Sequence, residues 1–196
     1  MMLRVGITGG IGSGKSLVCS VLEKLGVPVY YADQEAKRLM NTDQALQKSI
    51  KILLGEQAFK VGELNRKMVG EKVFGNPALL KKLNHLVHPV VGDDFQTWSR
   101  SWNLHPYVVE EAAVLFESGA DRCLDMSVLV FAPSELRIKR VMARDEATRF
   151  EVEQRMKQQM DEDEKKRLAD RIILNDEMSL LLPQIIELHE DIIRRI

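Results

Sequence analysis

Gly6-Ile7-Thr8-Gly9-Gly10-Ile11-Gly12-Ser13-Gly14-Lys15-Ser16 (GITGGIGSGKS) stands near the amino end of the chain, and its reading decides the fold. Gly9 to Ser16 fits the spacing G-x-x-x-x-G-K-[ST] of a phosphate loop. Glycines let backbone N–H groups turn inward with no Cβ in the way. A nest of such groups at a helix N-terminus attracts phosphate. Lys15 reaches the β- and γ-phosphates and the Ser16 hydroxyl faces Mg²⁺. The flanks supply the required setting. Leu3 to Thr8 reads as a strand, and Ser16 to Leu25 is apolar at Leu17, Val18, Val21, Leu22 and Leu25, which is helical spacing. Gly26 is the expected stop. A plain glycine-rich turn with an incidental lysine is the bland alternative.

Working outward, Val27 to Ala32 is a second strand candidate ending at Asp33. Residues 34 to 102 then read as mostly helical. Helices are expected over 34–40, 43–54, 66–74, 77–86 and 89–102, with breaks at Asn41-Thr42 and at the polar turn 61–66. Asn76-Pro77 and His88-Pro89 both read as helix starts. Strand character returns at 107–113, 126–132 and 170–174. Ser134 reads as the cap of a helix to Asp145, Thr148 to Glu151 as a capping box, Asp161 to Glu164 as an acidic hinge, and 178–196 as a final helix. Strands alternating with helices imply an α/β fold, a parallel sheet flanked by helices of the P-loop NTPase type. Ligands in such sheets bind beyond the carboxyl ends of the strands. That rule selects the glycine loop, Asp33, Leu115-Phe116-Glu117, Pro133-Ser134 and Asn175. The expected division is a nucleotide-binding core (1–33, 103–134, 162–196), a helical substrate-binding insertion (34–102) and a helical lid (135–161).

Composition bounds the function. The 196 residues are 45% hydrophobic and carry a net charge of −1. That balance gives no pull towards nucleic acid or acidic membranes, and no basic run is interleaved with aromatics. Cys19 and Cys123 are too few for a zinc cluster or a disulfide framework. With no signal peptide and no membrane-length apolar run, the expected location is the cytoplasm, with no obligatory protein partner.

Several side chains are candidates for chemistry. Asp33 could accept a proton from an attacking hydroxyl or organise Mg²⁺; an N-cap role explains it equally well. Arg137, Arg140 and Arg144 share a helix face by spacing, with Arg149 and Arg155 beyond. They suit a cationic lid over a transferring phosphoryl group, or a solvated face paired with Glu135, Asp145, Glu146, Glu151 and Glu153. His88 before proline is a cap, a packed residue or a base. Glu110 and Glu111 are adjacent in one strand, so one of them faces a cleft. Glu117 follows a strand end, where it could bind a hydroxyl or start a helix.

Together these segments resemble the dephospho-CoA kinase family, the P-loop enzymes of the last step of coenzyme A synthesis. The resemblance is carried by GITGGIGSGKS, GVPVYYADQEAKRL, GELNRKMVGEKVFGNP, LNHLVHPVV, LFESG, RIKRVMARD, VEQRMKQQ and ADRIILND, in that order. It implies ATP-dependent phosphorylation of the ribose 3′-hydroxyl of dephospho-CoA, giving coenzyme A and ADP. By the same resemblance Gly12 to Leu17 bind ATP, Lys15, Asp33 and Arg140 are catalytic, and Arg144 and Asn175 lie near the nucleotide. Mg²⁺ accompanies ATP at Ser16. Arg66, His88, Phe116 and Glu117 are the candidate contacts to dephospho-CoA. This chain departs from the family pattern at three points. Tyr31-Ala32-Asp33 replaces a common D-A-D, which puts the burden on Asp33. Leu17 replaces a common threonine, and Ala113 a common proline. The rival readings are another nucleoside or nucleotide P-loop kinase and a regulatory ATP-binding module. No guanine-reading N-K-x-D is present.

Overall fold

The computed structural model describes residues 2–73 and 75–195. Five parallel strands make the main sheet: β1 (Leu3–Thr8), β2 (Val29–Tyr31), β5 (Tyr107–Glu111), β6 (Met126–Phe131) and β7 (Arg171–Leu174), in the order β2-β5-β1-β6-β7. The α/β class and the parallel sheet expected from the sequence are therefore observed. β1 is central because both its faces can be buried. Val5 and Ile7 are fully buried on one face, against Val18, Cys19 and Leu22 of helix α1 (Lys15–Lys24) and Ile185, Leu188 and Ile192 of helix α10 (Leu181–Arg194). Removing a leucine such as Leu22 from water contributes about 1.5–3 kcal/mol. On the other face Gly6 leaves room for Leu115 and Leu124, which a Cβ there would strike.

The chain forms two compact units, residues 1–31 with 99–196 and residues 32–98. Besides the sheet, α1 and α10, the first holds α6 (Leu115–Ser118), α7 (Ser134–Asp145), α8 (Arg149–Met156) and α9 (Glu162–Leu168). Helix α1 ends as expected. The Gly26 N–H bonds Glu23 O and the Val27 N–H bonds Leu22 O, both at 3.0 Å, with Gly26 at φ 83°. This is a Schellman stop. The capping box at Thr148 and Glu151 is present as well.

The second unit holds α2 (Ala32–Thr42), α3 (Gln44–Leu54), a hairpin of β3 (Phe59–Lys60) and β4 (Glu63–Leu64), α4 (Arg66–Val73) and α5 (Pro77–Arg100, whose last two residues fall in the first unit). Asp43 caps α3 by accepting the Leu46 N–H at 2.8 Å, and Gly55 ends it. Arg38 of α2 bonds both Glu35 and Asp94 of α5, the latter at 2.8 Å.

Several expectations need correction. The polar turn 61–66 is a hairpin, with Val61 and Gly62 both at positive φ, the twist that suits a two-residue connection. Asn41-Thr42 does not break α2; the Asn41 side chain accepts the Leu64 N–H at 2.8 Å and fixes the hairpin. His88-Pro89 does not start a helix. Pro89 lies inside α5, where flanking buried Val87, Val91 and Phe95 offset the missing backbone bond. The acidic run 161–164 is the capped start of a helix rather than an irregular segment. Asp161 accepts the Asp163 and Glu164 N–H groups and caps α9, with acids placed favourably in its first turn. Ser134 is the first residue of α7, after Pro133. The final helix starts later than expected, because Asp176 takes the N–H groups of Met178 and Ser179. Phe74 and Ile196, the expected ends of two helices, lie outside the described residues.

Candidate active site

The phosphate loop joins the end of β1 to α1. Gly12 at φ 80° and Gly14 at φ 95° occupy the left-handed region, which a side chain would strain. The loop is braced from outside. The Asn175 amide donates to Ser13 O at 2.8 Å, and the Ile11 N–H donates to Gln159 Oε1 at 2.9 Å. A Cβ at Gly14 would collide with the Asn175 amide, so this glycine also permits close approach. The N-terminus of α1 adds the positive end of its dipole.

Lys15 Nζ donates to Gly9 O at 2.9 Å and lies 3.7 Å from Glu111 Oε1. Glu111 is the last residue of β5, opposite Ile7 of β1. Of the adjacent glutamates, this is the one that faces the loop lysine. Glu110 sits on the opposite sheet face, level with Gly6 and Tyr30, and is 3% exposed. Burial pushes its carboxyl up to about 7.

The arginines do not act as one face. Arg137 is 5% exposed and donates to Glu162 Oε1 at 3.0 Å. Arg140 donates to Asn175 Oδ1 at 3.4 Å and Glu177 Oε1 at 3.2 Å. Its Nη1 is buried without a hydrogen-bond partner among the described residues, an unused donor suited to an anion. Arg144 and Arg155 both bond Asp145, and Arg149 bonds Glu135 and Glu153. The solvated-face pairing therefore describes these three in the present state.

Phe116 and Glu117 lie in α6. Glu117 Oε1 accepts the Met160 N–H at 2.8 Å and is 3.1 Å from Lys165 Nζ. Gly12 to Leu17, Arg140, Asn175 and Glu111 thus come together at the carboxyl edge of the sheet, with Ser16 and Leu17 exposed in the first turn of α1.

Asp33, Arg66 and His88 belong to the helical unit. Asp33 is the second residue of α2 rather than its N-cap, so its charge complements the helix N-terminus without capping it. Burial lowers the His88 pKa, as does nearby His85, while Asp33 opposes them. Arg66 opens α4 and is exposed.

Cys19 is fully buried and burial pushes its thiol up, so it is no nucleophile. Among the described residues no three His, Cys, Asp or Glu side chains could cage a metal. Mg²⁺ that arrives with phosphates takes few protein ligands, and these are oxygens. The Ser16 hydroxyl and the Glu111 carboxylate are the oxygens at hand.

A dephospho-CoA kinase family model matches residues 3–180. The chain belongs to this family. A dephospho-CoA kinase from Bacteroides fragilis is 40% identical over 188 residues, covering 96% of this chain and 92% of that protein. A crystal structure from Thermus thermophilus superposes with a TM-score of 0.82 at 34% identity, covering 100% of this chain and 98% of the other. The dephospho-CoA kinase from Campylobacter jejuni gives 0.73 at 26%, covering 99% and 98%. Within the dephospho-CoA kinase family, the three departures noted above acquire local meaning. Tyr31 ends β2 with a phenol whose pKa is pushed up by burial, and by Cys19 and Glu23. Leu17 is 52% exposed. Ala113 offers its carbonyl to Lys165.

Gln159, Lys165 and Glu111 are the residues that sequence reasoning missed or left unresolved. Their partners are remote in the chain, and only the alternation of β5 hinted at Glu111.

Proposed function

We propose that this protein transfers the γ-phosphoryl group of ATP to the ribose 3′-hydroxyl of dephospho-CoA, giving ADP and coenzyme A. Membership of the dephospho-CoA kinase family supports the acceptor. The single observation that carries the chemistry is a strand–loop–helix phosphate nest with Lys15 at the central strand. In this reading the amides of Gly12 to Leu17 and the Lys15 ammonium hold the triphosphate. Lys15 and Arg140 stabilise the charge that gathers on the moving group. Asn175 steadies the loop beside the nucleotide, and Arg144 exchanges Asp145 for phosphate as a lid over 135–161 closes. Bound Mg²⁺ would supply charge neutralisation between the β- and γ-phosphates, held at Ser16. Asp33 accepts the proton of the 3′-hydroxyl or orients it. The acceptor is bound through Arg66 and His88 of the helical insertion, with Phe116 and Glu117 of α6 as further contacts. No helix among the described residues is long and apolar enough to cross a membrane, and we assign the reaction to the cytoplasm.

An acceptor screen tests this reading. ADP release is followed with dephospho-CoA, adenosine, AMP and a nucleoside panel. Dephospho-CoA is expected to be preferred over all others. Preference for a nucleoside or nucleotide would make this another small-molecule kinase, and ATP binding without any acceptor would make it a regulatory module.

A further inference from the structure

The chain from Gln159 to Lys165, which runs from the α8–α9 connection into the first turn of α9, is fastened at four points to other parts of its unit. Gln159 Oε1 accepts the Ile11 N–H of the phosphate loop at 2.9 Å. The Met160 N–H donates to Glu117 Oε1 at 2.8 Å. Glu162 accepts from Arg137 of α7 at 3.0 Å. Lys165 is fully buried, donates to Ala113 O at 3.2 Å and pairs with Glu117 at 3.1 Å. The Arg137–Glu162 pair also lies directly on the loop, since a Cβ at Gly10 would strike both side chains. Lysine is almost never fully buried unless paired, and desolvating it is costly. A stretch that merely returned the chain to β7 would need none of these bonds. The seven residues instead join three places that act in phosphoryl transfer: the loop at Gly10 and Ile11, the turn after β5, and the arginine-bearing helix α7.

We infer that residues 159–165 are a stem that holds the phosphate loop in its binding shape and ties it to the arginine-bearing segment 134–157. Gln159 and Lys165 are its positioning residues. Gln159 satisfies the Ile11 N–H from outside the loop, while within the loop the Ser13 N–H bonds Gly10 O at 3.0 Å. Lys165 fixes the far end of the stem against the turn after β5. The last three residues of the 135–161 lid thus belong to the stem and stay with the loop, movement of α7 and α8 over a bound nucleotide pivots there, and phosphate binding and segment movement report on each other. The inference rests on the phosphoryl-transfer reading only for what the loop binds.

The test uses the full chain carrying Gln159→Leu, which keeps the volume and removes the acceptor, and Gln159→Glu, which restores it. ATP affinity is measured by calorimetry with a non-hydrolysable analogue, and amide exchange is followed by mass spectrometry. For Gln159→Leu, exchange at residues 9–16 and the analogue Kd are both expected to rise about tenfold, the loss of one hydrogen bond. The KM for dephospho-CoA should stay unchanged, and Gln159→Glu should recover the analogue affinity. Lys165→Met should loosen exchange at both 9–16 and 113–118; if it fails to fold, Gln159→Leu alone decides. Unchanged analogue affinity, with faster exchange confined to 157–168, would reduce the stem to a structural tie and overturn the inference. The calorimetric and exchange readouts need no acceptor, so the wrong acceptor in the screen would leave their result standing.

Discussion

The phosphate loop and the helical unit 32–98 contrast in how their candidate residues are specified. At the loop the backbone does the binding, and stereochemistry dictates the residue. Gly12 and Gly14 sit at positive φ, and Gly10 and Gly14 leave space for Arg137 and Asn175. In the helical unit Asp33, Arg66 and His88 are side chains carried on helices. Those helices require only an apolar stripe, which leaves the polar positions free to vary. A loop of the first kind can be read from a sequence alone. A surface of the second kind needs a fold and relatives before its members stand out.

That contrast can be broken by substitution. Lys15→Ala should have the largest effect, lowering kcat by about 10³-fold or more through loss of charge at the β/γ-phosphates. Steady-state ADP release measures it, with circular dichroism unchanged. Wild-type turnover would remove the loop from the mechanism. Asp33→Asn should lower kcat by about 10²–10⁴-fold if the carboxylate takes the proton, with ATP affinity retained. A small effect would confine Asp33 to its helix terminus. Gly14→Ala should strain the loop by about 1–3 kcal/mol and raise the KM for ATP far more than that for the acceptor. Equal changes in both would contradict a loop-specific role.

The smallest effect lies in the sheet. Glu110 has a folded-state pKa of about 7 against an ordinary 4.5, raised by burial. Between those values the folded state binds more protons than the unfolded one. Stability therefore falls as pH rises from about 4.5 to about 7, then levels off. Glu110→Gln should flatten that slope, as read by urea unfolding at pH 5 and pH 8. An unaltered slope would show that Glu110 is charged in the folded protein.

The same contrast explains what the sequence made legible. Strand β1, the loop, α1 and its Schellman stop were all readable because their signals are local and steric. Cap geometry at Asn76 and Thr148 was readable for the same reason: the side chain bonds an N–H three residues on. Pro89 misled because buried neighbours on either side, Val87 and Val91, hold α5 together, a tertiary fact with no local mark. Asp161 misled because an acidic run reads as a solvated hinge until its side chain is seen to cap α9. Gln159, whose partner Ile11 is 148 positions away, and the buried Lys165 left no local trace at all. The arginines of α7 were expected on one face, yet burial divides Arg137 from Arg144, and only packing against Glu162 and Asp145 decides which is which.

The central claim is that the loop presents the γ-phosphoryl group of ATP to the sugar alcohol of dephospho-CoA. Transfer of label from γ-labelled ATP, with the position of the product phosphate assigned by ³¹P NMR, tests it most directly. Wild-type protein should place label on the ribose 3′-oxygen in equal amount to the ADP formed, and Lys15→Ala should place none. Label appearing only as inorganic phosphate, or transfer that survives in Lys15→Ala, would contradict it.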